Sequence, residues 1–155
     1  NIVAEDLGTL QNGVKELLAA TGFPNMRVLQ FGFEGKDNPH APENYVPNCV
    51  AYTGTHDNTT LSAFWQELSR GEQCSYAHRL PKRYANVVDR LIDAVLSSVA
   101  DTAIVPMQDY LRLGKSARIN EPSTGEGNWT WMLPKDYARA PVIRRIFLMT
   151  KNSGR

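Results

Sequence analysis

The chain has 155 residues and a formal net charge of +1 at pH 7, and its 42% hydrophobic and 21% charged residues are typical of a globular protein. This length fits one domain with a sizeable core, and so small a net charge provides no strongly basic surface for nucleic acid or for an acidic membrane. No run approaches the roughly 20 apolar residues that a membrane span needs. Composition therefore argues against nucleic-acid binding and against a membrane-spanning protein.

Four short apolar runs alternate with helical patterns along the chain. The runs are too short for buried helices, so each is predicted to be a strand. The predicted strands are residues 2–4, 26–31, 49–52 and 103–106. Apolar residues spaced by three and four predict four helices. These helices cover residues 10–20, 60–68, 84–99 and 141–149, with Pro81 as an expected first-turn proline of the third and Gly154 just past the last.

The alternation of strands and helices predicts βαβ units and a parallel sheet. Polar residues follow the strands, at the edge where α/β folds bind their ligands. They are Glu5 and Asp6, then Gln30, then His56 and Asp57, then Gln108 and Asp109. Four such units amount to half of an eight-stranded barrel of roughly 250 residues, and an open flavodoxin-like sheet is the alternative. Because the first strand pattern begins at residue 2 without an initiating Met, we expect the natural N terminus to lie upstream.

The two cysteines, Cys49 and Cys74, fall in a strand and in a predicted loop. So few cysteines without obvious pairing favour a reduced, intracellular protein over a disulfide-bonded one.

Two adjacent carboxylates, Glu5 and Asp6, follow the first predicted strand directly. Desolvation among apolar neighbours favours the protonated form of a carboxyl, and a general acid at neutral pH needs that form. Glu5 is therefore a candidate general acid. From these residues alone the alternative stays open that Glu5 or Asp6 caps the N terminus of the following helix.

After the third predicted strand, residues 53–58 (TGTHDN) form a predicted tight turn that presents His56 and Asp57 to a cleft. A histidine beside an aspartate suggests a charged hydrogen-bonding pair directed at a ligand. The alternative is that Asp57 or Asn58 caps the helix that begins near residue 60. Metal binding is not predicted, because no other His or Cys lies at ligand spacing and because His40 and His78 are expected to be exposed in loops.

Two long loops, residues 32–47 and 119–128, interrupt the alternation, and long ordered loops are often functional. Asn120, Trp129 and Trp131 lie in or just after the second loop. Planar amides bind sugar hydroxyls and indoles stack on sugar faces, although core packing under the loop is the alternative for the two tryptophans. The glycines at 125 and 127 lack the spacing and the following lysine of a phosphate-binding loop.

Five segments occur in the order VAEDLG, GFPNMRVLQFGF, NPHAPENY, YTGTHDN and PMQDYLRLGKSARINEPSTGEGNW. In this order, and with compatible spacing, they resemble the amylomaltases, or 4-α-glucanotransferases, of glycoside hydrolase family 77. The resemblance runs from residue 2 to the closing LMTKNSGR. It implies that residues 1–155 are the C-terminal half, about strands five to eight, of a single (β/α)8 barrel domain. It implies no cofactor and no metal.

The resemblance also implies roles for individual residues. Glu5, in AEDLG, is the implied general acid/base, and Asp57, in GTHDN, is the acid that holds the hydroxyls of the reacting sugar in the transition state. The implied substrate contacts are His56, Asn58, Arg118 and Asn120, with Arg118 also supporting its loop. The nucleophile of the family, an aspartate on the preceding strand, is expected upstream of residue 1. The chain departs from the family pattern at Thr59, Glu121 and Met132, where Asp, a small residue and Arg are usual.

By this resemblance the intact protein transfers α-1,4-glucan segments between maltooligosaccharides, in the bacterial cytoplasm or the plastid stroma. The expected partners are the glucan and the absent N-terminal half of the barrel, with no nucleic acid and no membrane. The chain by itself is expected to be inactive and to expose unpaired strand edges. The alternatives are a hydrolytic α-amylase-type barrel and a glycan-binding fragment without turnover.

Overall fold

The computed structural model describes residues 2–8 and 13–155. The helices are α1 Val14–Thr21, α2 Leu61–Glu67, α3 Arg70–Arg79, α4 Val87–Leu96, α5 Met107–Tyr110 and α6 Ala140–Asn152, and the strands are β1 Asn25–Val28, β2 Cys49–Tyr52 and β3 Thr102–Ile104. Short 3-10 helices lie at Leu29–Phe31, Pro42–Asn44 and Lys115–Ala117. None of the helices in the described residues is long and apolar enough to cross a membrane.

The three strands form one parallel sheet in the order β1-β2-β3. The segment 2–8 joins the free edge of β1 through a single parallel bridge between Ala4 and Asn25, so the first predicted strand is shorter than expected. Neighbours in the sheet are thus neighbours in the chain. A flavodoxin-like sheet reverses its strand order at a switch point, whereas a barrel adds its strands in sequence. This order favours the barrel over the flavodoxin-like alternative.

Helix α4 supplies much of the core. Leu91, Ile92 and Val95 are fully buried, in one apolar cluster with side chains from β2, α2 and α6. The predicted helix 84–99 extends beyond the observed helix at both ends. The observed helix begins after Asn86, whose side chain accepts hydrogen bonds from the amides of Val88 and Asp89. Pro81 precedes this cap, so its predicted place in the first turn is wrong.

Helix α3 was not predicted, because its sequence has no pronounced apolar face. Its start is set by a capping box in which Ser69 Oγ accepts from the Glu72 amide and Glu72 accepts from the Ser69 amide. Cys74 lies on this helix and not in a loop, and both Cys49 and Cys74 are free thiols.

The short helix α5 was not predicted, whereas the other predicted strands and helices lie close to the observed ones. β1 ends at Val28, where a 3-10 turn begins, so only part of the predicted run 26–31 is strand. Helix α1 begins at Val14, and Leu10, which the prediction included, lies outside the described residues.

Candidate active site

A cavity of about 400 Å³ opens beside the carboxyl ends of β2 and β3. Residues from five separate stretches of the chain line it, and they include most of the polar residues that the sequence placed at strand ends. The strand-end residues in the lining are Glu5, His56, Asp57, Gln108 and Asp109, and Asn58 and Arg118 also line the cavity. The parallel sheet therefore brings together groups that are more than 100 residues apart in the chain.

Glu5 and Asp6 have different surroundings. Glu5 lines the cavity and is exposed, so the described residues do not provide the apolar surround on which its prediction relied. Asp6 is largely buried: its Oδ1 accepts a hydrogen bond of 2.9 Å from the Met26 amide, and its Oδ2 lies 3.4 Å from the Arg27 guanidinium. The structural contact of Asp6 is thus with strand β1.

The turn at 53–58 is held by its own side chains. Asn58 Oδ1 accepts from both the amide and the hydroxyl of Thr55, at 2.9 Å each. Helix α2 is capped by Thr60, whose hydroxyl accepts from the Ala63 amide, so the alternative in which Asp57 or Asn58 caps this helix is wrong. With the cap supplied elsewhere, the Asp57 carboxylate faces solvent with 49% of its side chain exposed.

Asp57 is connected to the second long loop. Its Oδ1 accepts a 2.6 Å hydrogen bond from Asn120 Nδ2 and lies 3.3 Å from His56 Nε2. Arg118 donates to the Asp57 carbonyl oxygen at 2.7 Å and to the Asn120 carbonyl oxygen at 2.8 Å. The Asn120 amide donates to the His56 carbonyl oxygen at 3.2 Å. The turn at 53–58 and the loop at 119–128 therefore form one polar surface at the cavity mouth.

Trp129 continues this surface. Its ring centroid lies 5.1 Å from that of His56, and 64% of the residue is exposed, so core packing does not describe it. Its φ of +61° places a bulky residue in the left-handed region, where its amide donates to the Ile119 carbonyl oxygen. Trp131, by contrast, is half-buried.

Asp109 is part of the cavity wall and is only 2% exposed. Its Oδ2 accepts from the Thr53 hydroxyl at 2.6 Å and its Oδ1 from the Leu61 amide at 2.8 Å. Burial raises the pKa of this carboxyl, while its two hydrogen bonds oppose the rise. Asp109 thus joins the end of β2 to the first turn of α2.

His40 is a residue whose place the sequence reasoning missed. It was expected to be exposed, but it is half-buried, and its Nδ1 accepts a 3.1 Å hydrogen bond from the Val28 amide. Burial lowers the pKa of this imidazole, and the nearby Arg27 guanidinium lowers it further while Asp6 raises it. A Cβ atom at Gly32 would lie 2.2 Å from the His40 carbonyl oxygen, so glycine is what allows the 32–47 loop to fold back. The only local signal was Asn38, whose side chain accepts from the His40 amide.

The chemistry of this surface suits a polyhydroxylated ligand. A carboxylate, planar amides, a guanidinium and an exposed indole provide hydrogen-bond partners for hydroxyls and a flat face for stacking. Among the residues that the structure describes, no group of three or more His, Cys, Asp or Glu side chains is placed to hold a metal ion.

The sequence is similar to those of known 4-alpha-glucanotransferases. A family model described as 4-alpha-glucanotransferase, that of glycoside hydrolase family 77, matches residues 1–137. The chain is 47% identical over 135 residues to the chloroplastic/amyloplastic 4-alpha-glucanotransferase of Arabidopsis thaliana, covering 86% of this chain and 23% of that protein. It is 40% identical over 161 residues to the 4-alpha-glucanotransferase of Clostridium butyricum, covering 99% of this chain and 32% of the relative.

The fold is similar to solved amylomaltases. The amylomaltase of Streptococcus agalactiae in complex with acarbose matches with a TM-score of 0.89 and 31% identity, over 99% of this chain and 32% of that one. The amylomaltase of Corynebacterium glutamicum matches with a TM-score of 0.68 at 17% identity, which is a likeness of fold. The chain thus spans about a quarter to a third of the length of the relatives that it matches.

Proposed function

The chain belongs to the 4-alpha-glucanotransferase family, glycoside hydrolase family 77, and we propose that the full-length protein transfers α-1,4-glucan segments between maltooligosaccharides by a retaining double displacement. The observation that carries this proposal is the meeting of Glu5 and Asp57 at one cavity, with Asn120 hydrogen-bonded to Asp57 across 63 residues of sequence. No cofactor or metal is part of the proposal.

Glu5 is the proposed general acid/base. In the first step it protonates the glycosidic oxygen of the leaving segment, and in the second it takes the proton from the 4-hydroxyl of the acceptor sugar. Its exposed position at the cavity wall allows contact with a bound glucan. A retaining mechanism also needs a nucleophilic carboxyl about 5–5.5 Å from the acid/base. We place that aspartate on a strand upstream of residue 1, so that the chain by itself is inactive.

Asp57 is proposed to hold the hydroxyls of the reacting sugar in the transition state. With Asn120 on Oδ1, its remaining oxygen is the acceptor that a sugar hydroxyl would use. His56 and Asn120 are proposed substrate contacts beside it. Arg118 and Asn58 are proposed contacts as well, although their hydrogen bonds within the two loops support mainly a role in shaping the site.

The described strands are proposed to be about strands five to eight of a (β/α)8 barrel, with residues 1–155 as its C-terminal half. The sequential parallel order supports this assignment. Large apolar side chains on α6 are exposed, namely Ile143, Phe147 and Leu148, as is Ile104 on β3. An N-terminal half of the barrel packed against them would remove this apolar surface from water. Because the relatives include chloroplast and bacterial enzymes, we propose the plastid stroma or the bacterial cytoplasm as the compartment.

Incubation of the full-length protein with maltotriose tests this function. Transfer yields glucose together with maltooligosaccharides longer than maltotriose, since each donor segment is passed to another sugar. An α-amylase-type hydrolase yields shorter sugars without longer products, and a non-catalytic glycan-binding protein yields neither. Either of the last two results would contradict the proposal. Chromatography of the products, with the 1–155 chain assayed beside the full-length protein, separates these outcomes.

A further inference from the structure

We propose that Asp6 is a positioning residue, which directs the Glu5 side chain into the cavity by occupying the free amide edge of β1. The inference rests on the proposed function, because it assigns to Asp6 a task in holding the proposed acid/base. Asp6 follows Glu5 in the chain and is not among the residues that line the cavity.

The edge of β1 that faces segment 2–8 is completed partly by side chains. The Ala4 amide donates to the Pro24 carbonyl oxygen at 2.9 Å, which begins a parallel ladder. The next amides that point to this side of β1 are those of Met26 and Val28, and they donate to Asp6 Oδ1 and to His40 Nδ1. The Asp6 carboxylate therefore accepts from a backbone amide at this edge of β1, where a regular ladder has backbone carbonyls as acceptors.

This replacement fixes the backbone immediately after Glu5. Side chains of an extended segment alternate between two sides, and Val3, Glu5 and Leu7 are the ones that line the cavity. Asp6, from the opposite set, points to β1 and is held there by the Met26 amide and by Arg27. With Ala4 tied before Glu5 and Asp6 tied after it, both neighbours of Glu5 are bound to the same strand.

Arg27 strengthens this attachment from the side of β1. Its guanidinium donates to Asp6 Oδ2 at 3.4 Å and to the Met26 carbonyl oxygen at 2.7 Å. The side chains of Asp6 and Arg27 are only 9% and 12% exposed, so solvent screens this ion pair little. Asp6 and Arg27 thus form a buried ion pair that attaches segment 2–8 to β1.

Two substitutions separate the geometry of Asp6 from its charge. Asp6→Asn keeps the length and one oxygen for the Met26 amide but removes the charge. Asp6→Glu keeps the charge but adds a methylene, which displaces the backbone next to Glu5 by up to about 1.5 Å if the hydrogen bond is retained. A misplacement of about 1 Å can reduce a rate by about 100-fold. In the full-length protein we expect Asp6→Glu to lower kcat by about 10- to 100-fold and Asp6→Asn, which loses the charge paired with Arg27 but keeps an acceptor for the Met26 amide, by a smaller factor, with KM for maltotriose within about threefold in both.

Asp6→Ala, which removes the acceptor without adding atoms, is expected to show the same loss as Asp6→Glu and serves if the longer side chain prevents folding. Glu43→Asp is the matched control, because it changes an arginine-paired carboxylate by one methylene outside the cavity, and it should leave kcat unchanged. The inference is overturned if Asp6→Glu and Asp6→Ala keep kcat within threefold, or if Asp6→Asn loses as much as they do.

The wild-type protein and Glu5→Gln are assayed in parallel to separate the two proposals. No transfer by the wild type, or full activity of Glu5→Gln, contradicts the proposed function itself. An active wild type and an inactive Glu5→Gln, together with a fully active Asp6→Glu, contradict only the role of Asp6.

Discussion

Replacing Asp109 by alanine removes a carboxylate that ties two elements of the cavity wall together. Asp109 accepts one hydrogen bond from the Thr53 hydroxyl at the end of β2 and one from the Leu61 amide in the first turn of α2. All three residues are almost completely buried. The substitution leaves two buried donors without a partner.

The magnitude follows from these contacts. A buried donor left without a partner costs about 1–3 kcal/mol, and two of them cost about 2–6 kcal/mol. Removing a carboxyl whose pKa is raised by burial returns part of this cost, because the charged form was unfavourable there. We therefore expect Asp109→Ala to reduce the free energy of unfolding by about 2–4 kcal/mol. Asp109→Asn retains an oxygen for Leu61 and an NH2 group that can donate to Thr53, so it should cost about 1 kcal/mol or less.

Urea unfolding followed by tryptophan fluorescence measures both values, with equal m values as a check that the same surface is exposed on unfolding. The pH dependence gives a second test. Because the native-state pKa of Asp109 is raised, its contribution to stability is fully present below the unfolded pKa and is lost as the pH rises through the native value. The difference in free energy of unfolding between the wild type and Asp109→Asn should therefore shift in favour of the variant as the pH rises from acidic to neutral. A loss below about 1 kcal/mol for Asp109→Ala, or equal losses for both variants, would refute the reasoning.

Three further predictions concern the loops around the cavity. His40→Asn keeps an acceptor near the place of Nδ1 but cannot titrate. Since the native-state pKa of His40 is lowered, its stabilising effect is present above the unfolded pKa and is lost as the pH falls through the native value. Urea titrations from pH 7.5 to 5 should therefore show less acid destabilisation in the variant than in the wild type. Gly32→Ala should cost about 1–3 kcal/mol in the same assay, because its Cβ meets the His40 backbone, whereas Gly71→Ala, with open space around it, should be neutral or slightly stabilising. Asn120→Ala removes the hydrogen bond to Asp57 and should lower kcat/KM for maltotriose by about 10- to 100-fold, while an unchanged value would separate Asn120 from the site.

Local sequence signals predicted the elements that depend on local chemistry. β2 has its predicted bounds, and α2 lies within one residue of its prediction, because each is a short apolar run or stripe next to turn residues. The capping of α3 by Ser69 and Glu72 was readable in principle, but the helix lacks the apolar stripe that draws attention to it. The pattern predicts helix α4 too long, because apolar residues continue beyond both of its ends and the periodicity does not mark where the helix stops.

For the site, too, the sequence predicts some features and not others. Glu5 and Asp57 could be named because their motifs, AEDLG and GTHDN, are distinctive as a set and in order. Their environments could not, since those depend on contacts between distant residues. Asn120 reaches Asp57 across 63 residues, Asp6 reaches Met26 across 20, and neither distance leaves a pattern in the sequence.

The same limit applies to buried polar groups. Asp109 and His40 have partners on other elements, and a polar residue after a strand looks the same in sequence whether it faces a ligand or fills a buried position. Only packing decides between the two, because burial makes the hydrogen bond obligatory.

A comparison of two donors in the full-length Glu5→Ala protein tests most directly whether Glu5 moves the proton in glycosyl transfer. Maltotriose needs protonation of its leaving oxygen, whereas α-maltosyl fluoride releases fluoride without an acid, because fluoride is a good leaving group. If Glu5 is the acid/base, transfer from maltotriose falls by about 100- to 10,000-fold while a burst of fluoride remains, and added azide, which needs no base to attack, restores turnover of the glycosyl fluoride. Equal loss with both donors, or unchanged transfer from maltotriose, would contradict this role.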